Sequence, residues 1–295
     1  MRLDKMYKRR NNIELKDFLE RKVLEFNRPS FIKSDPVSVP HLFCKKQDIE
    51  ISALFTAIFS WGNRTTIIQK SLELMKNMDD APYDFIQNHQ PADLKRFLHF
   101  KHRTFNTIDL LYFINFLQYH YRHTDSLESA FLPDEPGMER RIQSEVVRVH
   151  SAEIKEKKIM NCVLPSENEI VKKALTVFYK RFFSLENVPN RTVKHIASPD
   201  KNSTCKRLNM FLRWMIRKDN NGVDFGIWTK ISPADLICPV DLHVSRVARD
   251  FRLINRKQTD WDTAMELTRA LRILDPFDPV KFDFALFGIG VTEKY

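Results

Sequence analysis

Two polar segments in the last third of the chain hold residues whose types and spacing could do chemistry. The segment Pro239-Val-Asp-Leu-His-Val244 places Asp241 behind a proline and directly before a helical pattern. The other segment begins at Lys206, in the first turn of a basic amphipathic helix, CKRLNMFLRWMIRK. A lysine at a helix N-terminus beside a second cation, here Arg207, is less strongly protonated, and a neutral amine is a nucleophile. The two segments therefore predict a lysine nucleophile that a carboxylate assists.

Each of these residues also has a structural interpretation. An aspartate at a helix start is typical of an N-cap, whose side chain accepts hydrogen bonds from backbone N–H groups. Capping and chemistry are compatible for Asp241, because a cap keeps its carboxylate ionised and fixed. Lys206 could equally be a solvated lysine on a basic helix. His243 lies two residues after Asp241, so a regular helix cannot direct both into one site, and we expect it to pack or to orient a neighbour.

The composition favours a helical protein that binds polyanions. Of the 295 residues, 43% are hydrophobic, which excludes wholesale disorder, and only 6 are glycine, which disfavours many tight turns. The formal net charge is +10, and the pI is near 9.4. A surplus of this size attracts nucleic acids through long-range electrostatics and counterion release, although it could also serve solubility alone.

The cysteines and the apolar segments bear on the cellular compartment. The four cysteines are scattered and form no CxxC pair, which predicts a reducing compartment and neither a disulfide framework nor a zinc site; they are Cys44, Cys162, Cys205 and Cys238. No apolar stretch follows the basic N-terminus, and no run of about 18 apolar residues occurs anywhere. We therefore expect a cytoplasmic protein that neither enters a membrane nor carries a secretory signal.

Helical spacing of apolar residues covers most of the chain, so we predict an all-α fold. The strongest predicted helices are IEISALFTAIFSWG, which is apolar almost all round, NTIDLLYFINFLQYHYRH and WDTAMELTRALRILD. We predict two lobes with a groove between them. Residues 40–235 would form one lobe, with a solvated charged insert near 125–165, and residues 1–39 plus 236–295 would form the other.

The C-terminal segments resemble a known superfamily. CPVDLHVSRVARDF resembles the PVD-x-H block of the helix-hairpin-helix DNA glycosylases, above all the 8-oxoguanine glycosylases. In that superfamily the aspartate assists departure of the base and stabilises positive charge on the sugar, which implies this role for Asp241. Aligning Asn202–Lys206 with the G-x-G-x-K run of the bifunctional members implies that Lys206 is the nucleophile. KRLNMFLRWMIR and LDPFDPVKFDFALFGIG together resemble an uncharacterised bacterial family placed near this superfamily.

The sequence also departs from the superfamily. Asn202 and Thr204 stand where relatives have the hairpin glycines that let backbone N–H groups approach a DNA phosphate. No four-cysteine run occurs near the C-terminus, so no iron–sulfur cluster is expected, and neither is another metal or organic cofactor. The segment Trp61-Gly-Asn-Arg64 is similar to the loop that, in relatives, probes or fills the gap in the duplex.

The resemblance and the charge pattern together predict which side chains meet DNA. The predicted phosphate contacts are Arg64, Arg207, Arg213, Arg217, Lys218, Arg246 and Arg249, for which a solvated basic face is the alternative. The predicted base-pocket residues are Trp61, Trp214, Phe225, Trp228 and His243. Aromatic side chains at such positions are also typical of a hydrophobic core.

The predicted function is removal of a damaged base from duplex DNA by a monomeric protein. Lys206 would form a Schiff base at the sugar, or Asp241 would activate water for simple hydrolysis if the lysine is not positioned. Two other classes remain open. One is a DNA- or RNA-binding protein that kept the fold without the chemistry, and the other is a metal-dependent hydrolase that uses Asp241, His243 and His195.

Overall fold

The computed structural model describes residues 12–133 and 169–292, and these are mostly helical. Within those ranges the strands are limited to one antiparallel pair, β1 (Lys101–His102) and β2 (Phe105–Asn106). The all-α class predicted from the sequence is confirmed. The helices are α1 (Asn12–Phe26), α2 (Pro29–Ile32), α3 (Lys46–Phe59), α4 (Arg64–Asn77), α5 (Pro82–Asn88), α6 (Thr107–Tyr121), α7 (Glu169–Phe182), α8 (Lys206–Ile216), α9 (Leu242–Asp250), α10 (Trp261–Leu274) and α11 (Phe282–Thr292).

Helix α3 lies at the centre of the hydrophobic core. Every residue from Ile49 to Phe59 is buried, as expected of a helix that is apolar almost all round. Its one buried carboxylate, Glu50, accepts hydrogen bonds from Tyr121, Ser126 and the Trp228 indole, so the charge is satisfied. Helix α8 packs across α3, and this contact fixes the position of Lys206 at the start of α8.

Helix α11 brings the two ends of the described chain together, because it packs on both α1 and α9. Glycines allow the close approach. A Cβ atom at Gly288 would lie 2.3 Å from the Phe26 ring of α1, and one at Gly290 would lie 3.0 Å from Cβ of His243 in α9. The N-terminal helix thus packs with the last helices, while the division of the chain into two lobes stays a prediction.

Buried ion pairs brace α8 against the C-terminal segment. Arg213 pairs with Asp224 and Asp283, and Arg217 pairs with Asp224 and Asp278. Both arginines are at most 5% exposed. Their ion pairs offset the free-energy cost of removing the guanidinium groups from water. The network therefore ties the helix that begins at Lys206 to the helix that contains Asp283.

Two further findings concern the segments predicted from composition. Residues Leu127–Phe131 form a buried 3-10 turn, so a solvated insert does not begin at 125 as predicted; residues 134–168 of that insert lie outside the described residues. No helix in the described ranges has both the length and the apolar character needed to cross a bilayer.

Candidate active site

The loop before α8 places Lys206 at an uncapped helix start. Asn202 and Cys205 both adopt left-handed backbone conformations, with φ of 55° and 50°. The N-cap residue Cys205 gives no side-chain hydrogen bond to the first turn. Asparagine tolerates this conformation better than most residues, which suits Asn202; the second left-handed residue of the loop is Cys205 and not Thr204.

Asp241 is the N-cap of α9, as one interpretation of the sequence predicted. Its Oδ1 accepts hydrogen bonds from the backbone N–H groups of His243 and Val244, both at 2.9 Å. The cap uses Oδ1 and leaves Oδ2 for other partners. The carboxylate is therefore fixed in orientation by its own helix, with one oxygen directed elsewhere.

That second oxygen faces the predicted nucleophile. Lys206 Nζ lies 3.6 Å from Asp241 Oδ2, and the two side chains are 28% and 22% exposed. Both line a cavity of about 560 Å³, which is within the roughly 300–1,000 Å³ typical of ligand pockets. The structure thus brings together two residues that are 35 positions apart in the sequence. Lys206 lies at the start of α8, and Asp241 lies at the start of α9.

Two further carboxyl groups, which the sequence analysis missed, line the same cavity. Asp283 of α11 is buried and pairs with Arg213; burial raises its pKa to about 6, against the lowering effect of Arg213. Asp35 caps a 3-10 turn by accepting a hydrogen bond from Val37 N at 3.1 Å, and burial raises its pKa too. The sequence did carry one signal for Asp283, since it is a lone acid in a helix that is otherwise almost wholly apolar.

The aromatic side chains that line the cavity are Phe31, Trp61 and Phe287. Only Trp61 is among the predicted base-pocket aromatics. The guanidinium of Arg64 lies 5.4 Å from the centroid of the Phe287 ring, and that of Arg103 lies 4.5 Å from Trp61. His243 also lines the cavity and is exposed.

The other three predicted base-pocket residues lie elsewhere, for reasons of packing. Trp214 is fully buried, and Trp228 is buried with its indole N–H donated to Glu50 at 2.6 Å. Phe225 stacks on His41 with ring centroids 4.3 Å apart. None of the three lines the cavity: Trp214 and Trp228 belong to the hydrophobic core, and Phe225 is half-buried against it.

Four of the predicted phosphate contacts are already engaged by the protein. Arg213 and Arg217 are buried in the ion network, and Arg213 also belongs to the lining of the cavity. Arg207 donates to the carbonyls of Ile58 and His195, and burial lowers its pKa to about 10. Arg249 donates to three carbonyl oxygens of a single loop, those of Arg256, Lys257 and Gln258. The remaining predicted contacts are Arg64, Lys218 and Arg246, of which Lys218 is exposed and the other two are half-buried.

The metal-dependent alternative needs residues that the structure separates. His195 is buried, with Nε2 3.3 Å from Asp109 Oδ2, and it does not line the cavity of Asp241 and His243. Across residues 12–133 and 169–292, no group of three or more His, Cys, Asp or Glu side chains has an arrangement that could hold a metal ion. The structure thus does not assemble the three residues on which that alternative depends.

Comparison with known proteins places the chain in a family. Residues 35–292 match the model of a family described as "Protein of unknown function (DUF2400)". The chain belongs to this DUF2400 family. The match covers the residues that line the cavity from Asp35 to Val291, whereas Phe31 of α2 lies before it. No curated protein and no solved structure matches the chain. The sequence-based assignment to an uncharacterised family is confirmed.

Proposed function

We propose that this DUF2400 protein binds duplex DNA and removes a damaged base, with Lys206 as the nucleophile and Asp241 as the assisting carboxylate. The observation that carries the proposal is the 3.6 Å pair of Lys206 Nζ and Asp241 Oδ2 in the wall of the cavity. The resemblance of the PVDLH and KRLNMFLRWMIR segments to the helix-hairpin-helix glycosylases supports it. A base-processing enzyme must also hold an extruded nucleotide, and a cavity with aromatic walls suits that task.

The chemistry follows from the positions of the two side chains. The neutral amine of Lys206 attacks the sugar C1′, a C–N bond forms, and the glycosidic bond breaks with its electron pair leaving on the base. Positive charge develops on the sugar in this step, and the fixed carboxylate of Asp241 stabilises it. Loss of a proton from the new ammonium and opening of the sugar ring then give the Schiff base.

The cavity walls account for binding of the base. Phe31 and Phe287 are half-buried aromatic side chains available for stacking, and Arg64, which also lines the cavity, adds positive charge for the phosphates. Base stacking on an aromatic ring contributes about 1–3 kcal/mol per base. We expect Phe287→Ala to weaken binding of a duplex that carries the substrate lesion by about tenfold or more, measured by fluorescence anisotropy.

Borohydride trapping tests the proposed mechanism. The wild-type protein, Lys206→Gln and the control Lys16→Gln are incubated with duplexes that carry 8-oxoguanine, uracil, alkylated bases or an abasic site. Lys16 is exposed on α1 and does not line the cavity, so its change removes the same charge elsewhere. We expect a cross-link on at least one damaged-base duplex with the wild type and the control, and none with Lys206→Gln.

Other outcomes separate the remaining possibilities. A cross-link on abasic DNA alone would restrict the activity to lyase chemistry. Base release without a cross-link would assign the reaction to water activated by Asp241. Tight, salt-dependent DNA binding with neither base release nor a cross-link would contradict the proposal and favour the non-catalytic binding protein.

A further inference from the structure

Asp283 lines the proposed active site, but the mechanism that uses Lys206 and Asp241 gives it no role. It is 5% exposed, although it belongs to the wall of the cavity that holds Lys206 and Asp241. Arg213 Nη1 donates to its Oδ2. Among the described residues Oδ1 has no hydrogen-bond partner. A buried carboxyl side chain in the wall of a cavity, with one oxygen unpaired, is placed to exchange a proton with a ligand there.

The mechanism leaves a proton to be moved. The departing base carries away the electron pair of the glycosidic bond and needs a proton, whereas the lysine nitrogen, once bonded to C1′, must lose one. Asp241 is poorly placed to deliver that proton, because its Oδ1 accepts hydrogen bonds from two backbone N–H groups and its Oδ2 faces Lys206. The site therefore needs a second group that alternates between acid and base.

We propose that Asp283 is this proton carrier. The inference rests on the glycosylase function proposed above. Protonated Asp283 gives its proton to the departing base as the C1′–N bond breaks. The resulting carboxylate is held by Arg213 and takes back a proton from the Lys206 nitrogen after its bond to C1′ has formed. One proton is donated and one is regained, so no external acid or co-reactant is consumed.

The surroundings of Asp283 suit this exchange. Burial raises its pKa to about 6, Arg213 and Lys206 lower it, and the carboxylates of Asp241 and Asp224 raise it. Ordinary aspartate would be almost wholly ionised at neutral pH. A group with a pKa near 6 has both forms populated close to neutrality, which is the condition for efficient proton transfer in both directions.

The test compares Asp283→Asn with a matched variant, Asp224→Asn. Both aspartates are buried ion-pair partners of Arg213, but Asp224 does not line the cavity. Each variant is assayed for release of the damaged base across pH 5–9 and for borohydride trapping on a duplex with a preformed abasic site, where no base has to leave. Thermal unfolding of each variant establishes the temperature at which it is folded for the assays.

We expect Asp283→Asn to slow base release about 100-fold and to retain trapping on abasic DNA within about threefold of wild type. We also expect it to lose the decline in the base-release rate that the wild type shows as the pH rises above about 6. Asp224→Asn should keep both activities and still show the decline, moved to lower pH because the Asp224 carboxylate no longer raises the pKa of Asp283. Equal losses in the two variants, or an unchanged rate or pH profile in Asp283→Asn, would overturn the inference while leaving the Schiff-base mechanism intact. A wild type that traps on neither duplex would overturn both proposals.

Discussion

At the scale of single residues, side chains of the same charge have different surroundings in the structure. Arg213 and Lys218 belong to the same basic segment, yet one is buried between two aspartates and the other is exposed. Asp241 and Asp283 line the same cavity, yet only Asp241 is held by backbone N–H groups. The chemistry available to a residue is therefore decided by its partners, and single substitutions can test each one.

Substitution of Asp241 separates its capping role from its chemical role. Asparagine is as good an N-cap as aspartate, so Asp241→Asn should change the free energy of unfolding by less than about 0.5 kcal/mol. Alanine removes the cap, and Asp241→Ala should cost about 1 kcal/mol. We expect both variants to release base about 100-fold more slowly. Chemical denaturation and the base-release assay measure the two effects, and full activity in Asp241→Asn would limit the residue to capping.

His195 should make stability depend on pH. Burial lowers its pKa from 6.5 to about 4, although nearby Asp109 raises it. Because the folded pKa is depressed, the stability that neutral His195 provides is present above pH 6.5 and is lost as the pH falls towards 4. The loss should reach up to about 3 kcal/mol. We expect His195→Gln to flatten this part of the stability–pH curve measured by urea unfolding, and parallel curves for the two proteins would contradict the assignment.

At the scale of elements, the cavity depends on how closely α11 approaches its neighbours. Asp283 is carried by α11, and Asp241 caps the start of α9, so the packing of these two helices sets the distance between the two carboxyl groups. The glycines at 288 and 290 permit that packing. Helix propensity alone would favour alanine at both positions, so the glycines indicate that the close contact outweighs the propensity.

Alanine substitutions in α11 test the contact. Gly288→Ala places a methyl group 2.3 Å from the Phe26 ring, and we expect it to destabilise the protein by about 1–3 kcal/mol. Gly290→Ala meets Cβ of His243 at 3.0 Å, where a small shift suffices, and the gain in helix propensity offsets part of the cost. Urea unfolding of both variants should rank Gly288→Ala as clearly the less stable. Equal stabilities would show that α1 adjusts without cost.

At the scale of the whole molecule, the formal net charge of +10 does not by itself show which cations are available to DNA. Four of the arginines predicted to contact phosphates are held by carboxylates or backbone carbonyls, so fewer cations are available to DNA than the sequence indicates. The salt dependence of DNA binding counts the phosphates that are neutralised, because each contact releases a counterion.

We expect the affinity for duplex DNA to fall as salt rises, and Lys218→Gln to reduce the slope of log K against log salt by about one. The Lys16→Gln variant makes the same change of net charge on α1 and should leave the slope unchanged. Fluorescence anisotropy at several salt concentrations measures both slopes. An identical reduction in the two variants would show that net charge, and not a contact at Lys218, governs binding.

The sequence by itself determined the all-α class, the buried character of α3 and the two helix starts that carry Lys206 and Asp241. These are local properties, because apolar spacing, a proline before a cap and the order of residues along one helix are all written in contiguous segments. It also determined the family, whose match extends over residues 35–292.

Only the tertiary structure decided which residues share the cavity and which cations are free. Asp35 and Asp283 are about 250 positions apart, and the two partners of Arg213 lie 11 and 70 positions away from it. Helical periodicity indicates that a side chain lies on a buried or an exposed face, but not which distant side chain it meets there. Burial, ion pairing and the raised pKa of Asp283 all depend on contacts between residues that are distant in the sequence. These properties therefore exist only once the helices are packed.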